Sequence, residues 1–77
     1  MSKKEAWLVS VMVGYGKTAQ FLMSEKMSFK EACELAEELV ADCENGEWIT
    51  VGHTYANPHR VSTIRVVKER ENDRFGL

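Results

Sequence analysis

Apolar and polar positions alternate with period 2 at the start of the chain. "EAWLVSVMV" (residues 5–13) is rich in β-branched and aromatic residues, which predicts a strand. Trp7, Val9, Val11 and Val13 share one face, and Ala6, Leu8, Ser10 and Met12 the other. Both faces are largely apolar, as in a strand that is central or covered on both sides. "GYGK" (14–17) brings two glycines and predicts a turn. "TAQFLMSE" (18–25) alternates again and predicts the returning strand of a β-hairpin.

The period then changes to that of a helix. Ser28 and Glu31 in "SFKE" (28–31) have the spacing of a capping box, in which each side chain satisfies the other residue's backbone N–H. Behind it Ala32, Leu35, Ala36, Leu39, Val40 and Cys43 recur at i, i+3, i+4 intervals, with Phe29 at the edge of the stripe. "ENG" (44–46) ends the helix, Gly46 being a natural residue to follow a C-cap. A third strand is predicted at "EWITVGHTY" (47–55), a turn at "ANPH" (56–59) and a fourth strand at "RVSTIRVVKE" (60–69). "RENDRFGL" (70–77) reads as a polar tail. The expectation is an α+β fold of order ββαββ, a four-stranded mostly antiparallel sheet with one helix packed on one face.

Length makes this a single domain, 1–77, with a folded core at 5–69. A chain of 77 residues is short of buried surface and must pack tightly or borrow area from a second copy. One helix covers only one face of such a sheet. Yet Leu8 and Met12 oppose Trp7, Val9 and Val11; Leu22 opposes Phe21 and Met23; Val67 opposes Ile64 and Val66. Apolar side chains are therefore expected on the uncovered face, which points to a homo-oligomer. The competing expectation is that the tail from Arg70 to Leu77, with Phe75, folds over that face.

No leader peptide and no membrane span are expected, because no apolar run approaches ~18 residues. Cys33 and Cys43 on one helix would be ~15 Å apart along its axis, too far to bridge each other. Reduced thiols and a cytoplasmic location follow as expectations. The formal net charge of −2 argues against a nucleic-acid partner.

The stretch closest to a catalytic motif is "VMVGYGKTAQ" (11–20), whose centre ends in Gly16-Lys17-Thr18. A phosphate-binding P-loop needs its first glycine at residue 11, which is Val, and a helix opening directly after the Thr. A strand pattern follows instead, so the segment is expected to be a hairpin turn. His53 and His59 flank "TYANP", but zinc wants three or four ligands and no Cys or carboxylate adjoins them. Neither cysteine sits at a sharp turn that would present a nucleophile, and no paired acid and base stands out. Neither metal, cofactor nor catalytic residue is assigned.

Charge is more informative. Acids stand at 31, 34, 37, 38, 42, 44 and 47 with no Lys or Arg between them, while basic residues stand at 60, 65, 68, 70 and 74. The helix face could dock on a basic partner in place of a nucleic acid. The last strand could instead contact nucleic acid, although acids interrupt its cluster and no aromatic stacking pattern accompanies it.

In "GEWITVGHTYANPHRVSTIRVVKE" (46–69), a helix ends in Gly, a strand carries Trp48, Asn57-Pro58 makes a turn, and Val61 and Ile64 mark a last apolar strand. This third of the chain resembles very small phage and prophage proteins. The resemblance implies action by binding, including inhibition of host defence, and carries no residue roles with it. The expected function is a non-enzymatic, homo-oligomeric binding protein that sequesters or inhibits a protein partner or a small ligand. The candidate contacts are Tyr15 and Lys17 on one turn and His53, Tyr55, Asn57, His59 and Arg60 around the other. The alternatives are a nucleic-acid-binding accessory protein using the basic last strand, and an enzyme.

Overall fold

A computed structural model describes residues 6–69. The predicted polar tail at 70–77, including Arg70, Arg74 and Phe75, lies outside the described residues, as does Glu5. The fold is mixed α+β, with one helix, a three-stranded antiparallel sheet and a separate two-stranded ribbon.

Strand β1 (Trp7–Val13) is central, between β2 (Gln20–Met23) and β5 (Val61–Lys68), giving the order β2-β1-β5. This is the place its two apolar faces predict. The β1–β2 hairpin pairs Val11 with Leu22 and Val13 with Gln20. Between the strands Gly16–Thr18 makes one tight 3₁₀ turn, with Gly14 and Gly16 at φ +88° and +62°. Helix α1 (Phe29–Glu44) begins on the predicted capping box: Glu31 N–H donates to Ser28 Oγ and Ser28 N–H donates to Glu31 Oε1, both at 3.2 Å. Phe29, half exposed, packs edge-on against Trp7 with ring centroids 4.6 Å apart.

The predicted third strand at 47–55 is not one strand. It is β3 (Ile49–Val51) and β4 (Thr54–Ala56), an antiparallel pair closed by the two residues Gly52 and His53. Gly52 stands at φ +62° and no non-glycine residue is at positive φ, the pattern of a II′ hairpin turn with glycine first. The order is therefore ββαβββ, and the expected four-stranded sheet is a three-stranded sheet plus a ribbon. Ala56, placed in a turn by its neighbours Asn57 and Pro58, is the buried end of β4. The chain then makes a 3₁₀ turn at Pro58–Arg60 before entering β5.

The ribbon completes the core. Val9 and Val11 on β1 are 0% exposed and cluster with Ala32 and Leu39 of the helix and Ile49, Val51 and Ala56 of the ribbon. Full burial of the Val, Leu and Ile side chains among them stabilises by roughly 2 kcal/mol each. The helix packs on β1 and β5, and the ribbon, which packs on the helix, adds Ile49, Val51 and Ala56 to the same buried cluster.

Gly52 is held by two constraints. Its φ is left-handed, and a methyl group there would come within 2.7 Å of the Met23 carbonyl oxygen. Gly46, which follows the helix, has φ +75° but open space around it. Gly46→Ala is expected to cost only the backbone term, about 1 kcal/mol. Gly52→Ala is expected to cost clearly more, because the ribbon must also retreat from β2. Urea denaturation of both variants checks the order; equal losses would show that the Met23 contact carries no weight.

Candidate functional site

Two turns predicted to carry function meet at one end of the sheet. The first follows β1: Gly14, Tyr15 and the 3₁₀ turn to Thr18. The second is Asn57–Arg60. Gly14 N–H donates to the Arg60 carbonyl at 2.8 Å and ties them together. Between them lies a cleft of about 300 Å³ lined by Gly14, Tyr15, Thr18, His59 and Arg60. That volume is at the lower edge of the range for small-molecule sites.

Local sequence explains both walls. Thr18 Oγ1 donates to the Tyr15 carbonyl at 3.0 Å and closes the first turn on itself. Asn57 Oδ1 accepts from His59 N–H at 2.9 Å, and Pro58 begins the 3₁₀ turn with its φ preset. Pro58 is buried, so the second turn is anchored while His59 and Arg60 stay exposed.

A β-bulge sets the junction. β1 pairs Met12 with Thr63 but Val13 with Val61, leaving Ser62 as the extra residue. Ser62 Oγ lies 3.1 Å from the Met12 carbonyl and 2.9 Å from that of Gly14, so its hydroxyl proton is shared between them. The bulge also turns Val61 toward the core beside Ile64, although they are three residues apart in an alternating strand.

Of the seven candidate residues, Tyr15, His59 and Arg60 line the cleft, and Asn57 shapes its wall. Lys17 is exposed in the same first turn but outside the lining. His53 and Tyr55 belong to the ribbon. Its tip packs on Met23, whereas the cleft lies by Gly14, beyond the Gln20 end of β2. The two histidines are therefore not brought to one site. Among the described residues no group of three His, Cys, Asp or Glu side chains is arranged to hold a metal.

Two surfaces outside the cleft stand out. On the ribbon Trp48 is 63% and Tyr55 74% exposed, on the side away from buried Ile49 and Val51. Trp48 was not among the candidates. The signal for it was Gly-His between two β-rich triplets: a hairpin there puts Trp48, Thr50 and Tyr55 outward together. On the sheet, Ser10 pairs with Met23 and Arg65, and Met12 with Phe21 and Thr63, all on the face opposite the helix. Phe21 is 59% exposed there and Met23 about half. Leu8 and Val67, also a pair, extend the same face.

Comparison with protein families, curated proteins and solved structures finds no match.

The cysteines are free and half-buried. Burial, and secondarily the Asp42 carboxylate, push the Cys43 thiol above its ordinary value and so lower its thiolate fraction. Alkylation of Cys43 is expected to reach half its maximal rate at a pH above the ~8.5 of a free thiol. A midpoint at or below that value, followed by mass spectrometry of the labelled peptide, would contradict the effect. Removing the Ser62 hydroxyl tests the junction. Ser62→Ala is expected to cost about 1 kcal/mol and to speed hydrogen exchange at the Gly14 amide. Unchanged protection of Gly14 would show that the bulge does not hold the two turns together.

Proposed function

We propose that the chain is a small non-enzymatic binding protein that works as a homo-oligomer. It sequesters or inhibits a protein partner or small ligand held at the cleft between its two turns. The observation that carries this is the convergence of Tyr15, His59 and Arg60, from segments more than forty residues apart, on one cavity. A cavity built by rigidly anchored turns is a means of holding something. The resemblance to small phage proteins adds a host-defence component as one class of target.

Self-association is supported by the open sheet face. Leu8, Met12, Phe21, Met23 and Val67 lie there with Arg65 as the charged residue among them. Exposed apolar area of this kind on a small domain favours a second copy. The basic residues of the last strand support the nucleic-acid alternative less well. Arg60 stands at the cleft, Arg65 on the open face, and Lys68 against the Trp7 ring at 5.9 Å, so they do not form one track. No helix among the described residues is long and apolar enough to cross a membrane.

Native mass spectrometry and sedimentation velocity across a concentration series test the oligomer. The wild type is expected at a multiple of 8.8 kDa. Phe21→Lys, at a position exposed in the single chain, is expected to give a folded monomer with an unchanged circular dichroism spectrum. A wild type that stays monomeric at every concentration would rule out self-association.

A further inference from the structure

The two segments that build the cleft share a property that the whole-chain charge hides. Residues 6–24 and 48–68 contain no Asp or Glu. They contain Lys17, Arg60, Arg65 and Lys68, and both histidines. Seven of the twelve acids stand on the helix and at Glu47; the turns beside the cleft carry Lys17, His59 and Arg60, whereas Arg65 lies on the open sheet face and Lys68 against Trp7.

The cleft lies between those two turns. Its lining contains Arg60 and His59 and no carboxylate. Among the described residues the one ion pair is Lys26–Glu69 at 3.1 Å, so Arg60 has no acidic partner there. Glu44, at the end of the helix, borders a neighbouring groove with Val61 and Ser62 but does not line the cleft. The side chains offer mostly donors: the guanidinium, the imidazole and the phenol of Tyr15. The Thr18 hydroxyl proton is already committed to the Tyr15 carbonyl. The guanidinium fork matches a planar or tetrahedral oxyanion with two parallel hydrogen bonds. The exposed ring of Tyr15 adds a flat apolar wall beside it.

We infer that the cleft binds an oxyanion carried on a small organic group, with a phosphate monoester as the best-fitting class. Arg60 receives the oxyanion, His59 and the Tyr15 hydroxyl donate to it, and the Tyr15 ring packs on the organic part. This rests on the cleft being the binding site proposed above, and it adds the class of ligand.

Amide NMR titration with phenyl phosphate tests it, with benzylamine as a cation of similar shape. Saturable shifts are expected at Gly14, Tyr15, Thr18 and Arg60 with phenyl phosphate, weakening as sodium chloride is added. Arg60→Gln is expected to weaken binding roughly ten-fold, the loss of charge-assisted hydrogen bonds. Arg65→Gln makes the same change in net charge on the open sheet face and is expected to leave binding unaltered. Amide dispersion in each spectrum shows that the variant is folded. Equal weakening by both substitutions would reduce the effect to overall charge and overturn the inference. Shifts with benzylamine and none with phenyl phosphate would overturn the ligand class and keep the cleft as a binding site. Silence of these amides toward both probes would overturn the cleft itself.

Discussion

Val9 and Val11 can be wholly buried only if separate pieces of chain close over the same side of β1, and the rest of the architecture follows from that requirement. A single 16-residue helix supplies Ala32 and Leu39. The ribbon supplies Ile49, Val51 and Ala56. A fourth strand in the sheet, as the apolar pattern at 47–55 predicts, would have widened the face needing cover and removed the piece that covers it. In a chain this small the better use of those nine residues is a folded-over pair of triplets. Their inward side chains fill the core, and their outward ones, Thr50 and Tyr55, face water.

That explains which parts of the fold were legible. The helix was legible because its capping box and its stripe are both local signals and agree. The first hairpin was legible for the same reason, with two glycines between alternating runs. The ribbon was missed because "ITVGHTYA" alternates plausibly as one strand, and a lone glycine inside a strand more often signals a bulge. The approach of the Met23 carbonyl, which requires glycine at residue 52, is a tertiary contact that no local pattern encodes. The Ser62 bulge was invisible for a related reason. Two serine and threonine positions inside an apolar strand look like ordinary outward residues, until the partner strand's register shows that one of them has no opposite number.

The candidate site was half legible. Choosing loop residues with hydrogen-bonding or charged side chains selected Tyr15, His59 and Arg60, which do line one cavity. It equally selected His53 and Tyr55, which lie on another part of the molecule. Residue type alone cannot separate these, since both groups sit beside turns. Separation comes from β5 returning antiparallel beside β1. Arg60, just before the start of β5, is thereby delivered to Gly14, just past the end of β1. The ribbon turn is carried instead to the Met23 region of β2.

The same topology changes what net charge means for this chain. A formal charge of −2 is a sum over 77 residues, whereas attraction between an ion and a site decays within about 8–10 Å at physiological salt. Six of the twelve acids lie on the helix, whose charged positions point away from the sheet as its apolar stripe points toward it. The turns at the end of the sheet carry cations alone. Segregation of this kind follows from the amphipathic helix: once Ala32 and Leu39 face the core, the intervening glutamates must face water. An anion entering the cleft therefore meets Arg60 and His59 first, while Glu44 of the helix borders the adjoining groove and not the lining. Whole-chain charge bears on solubility and on long-range repulsion, and the sign of the local field is set by which segments the fold brings to the mouth of the cavity.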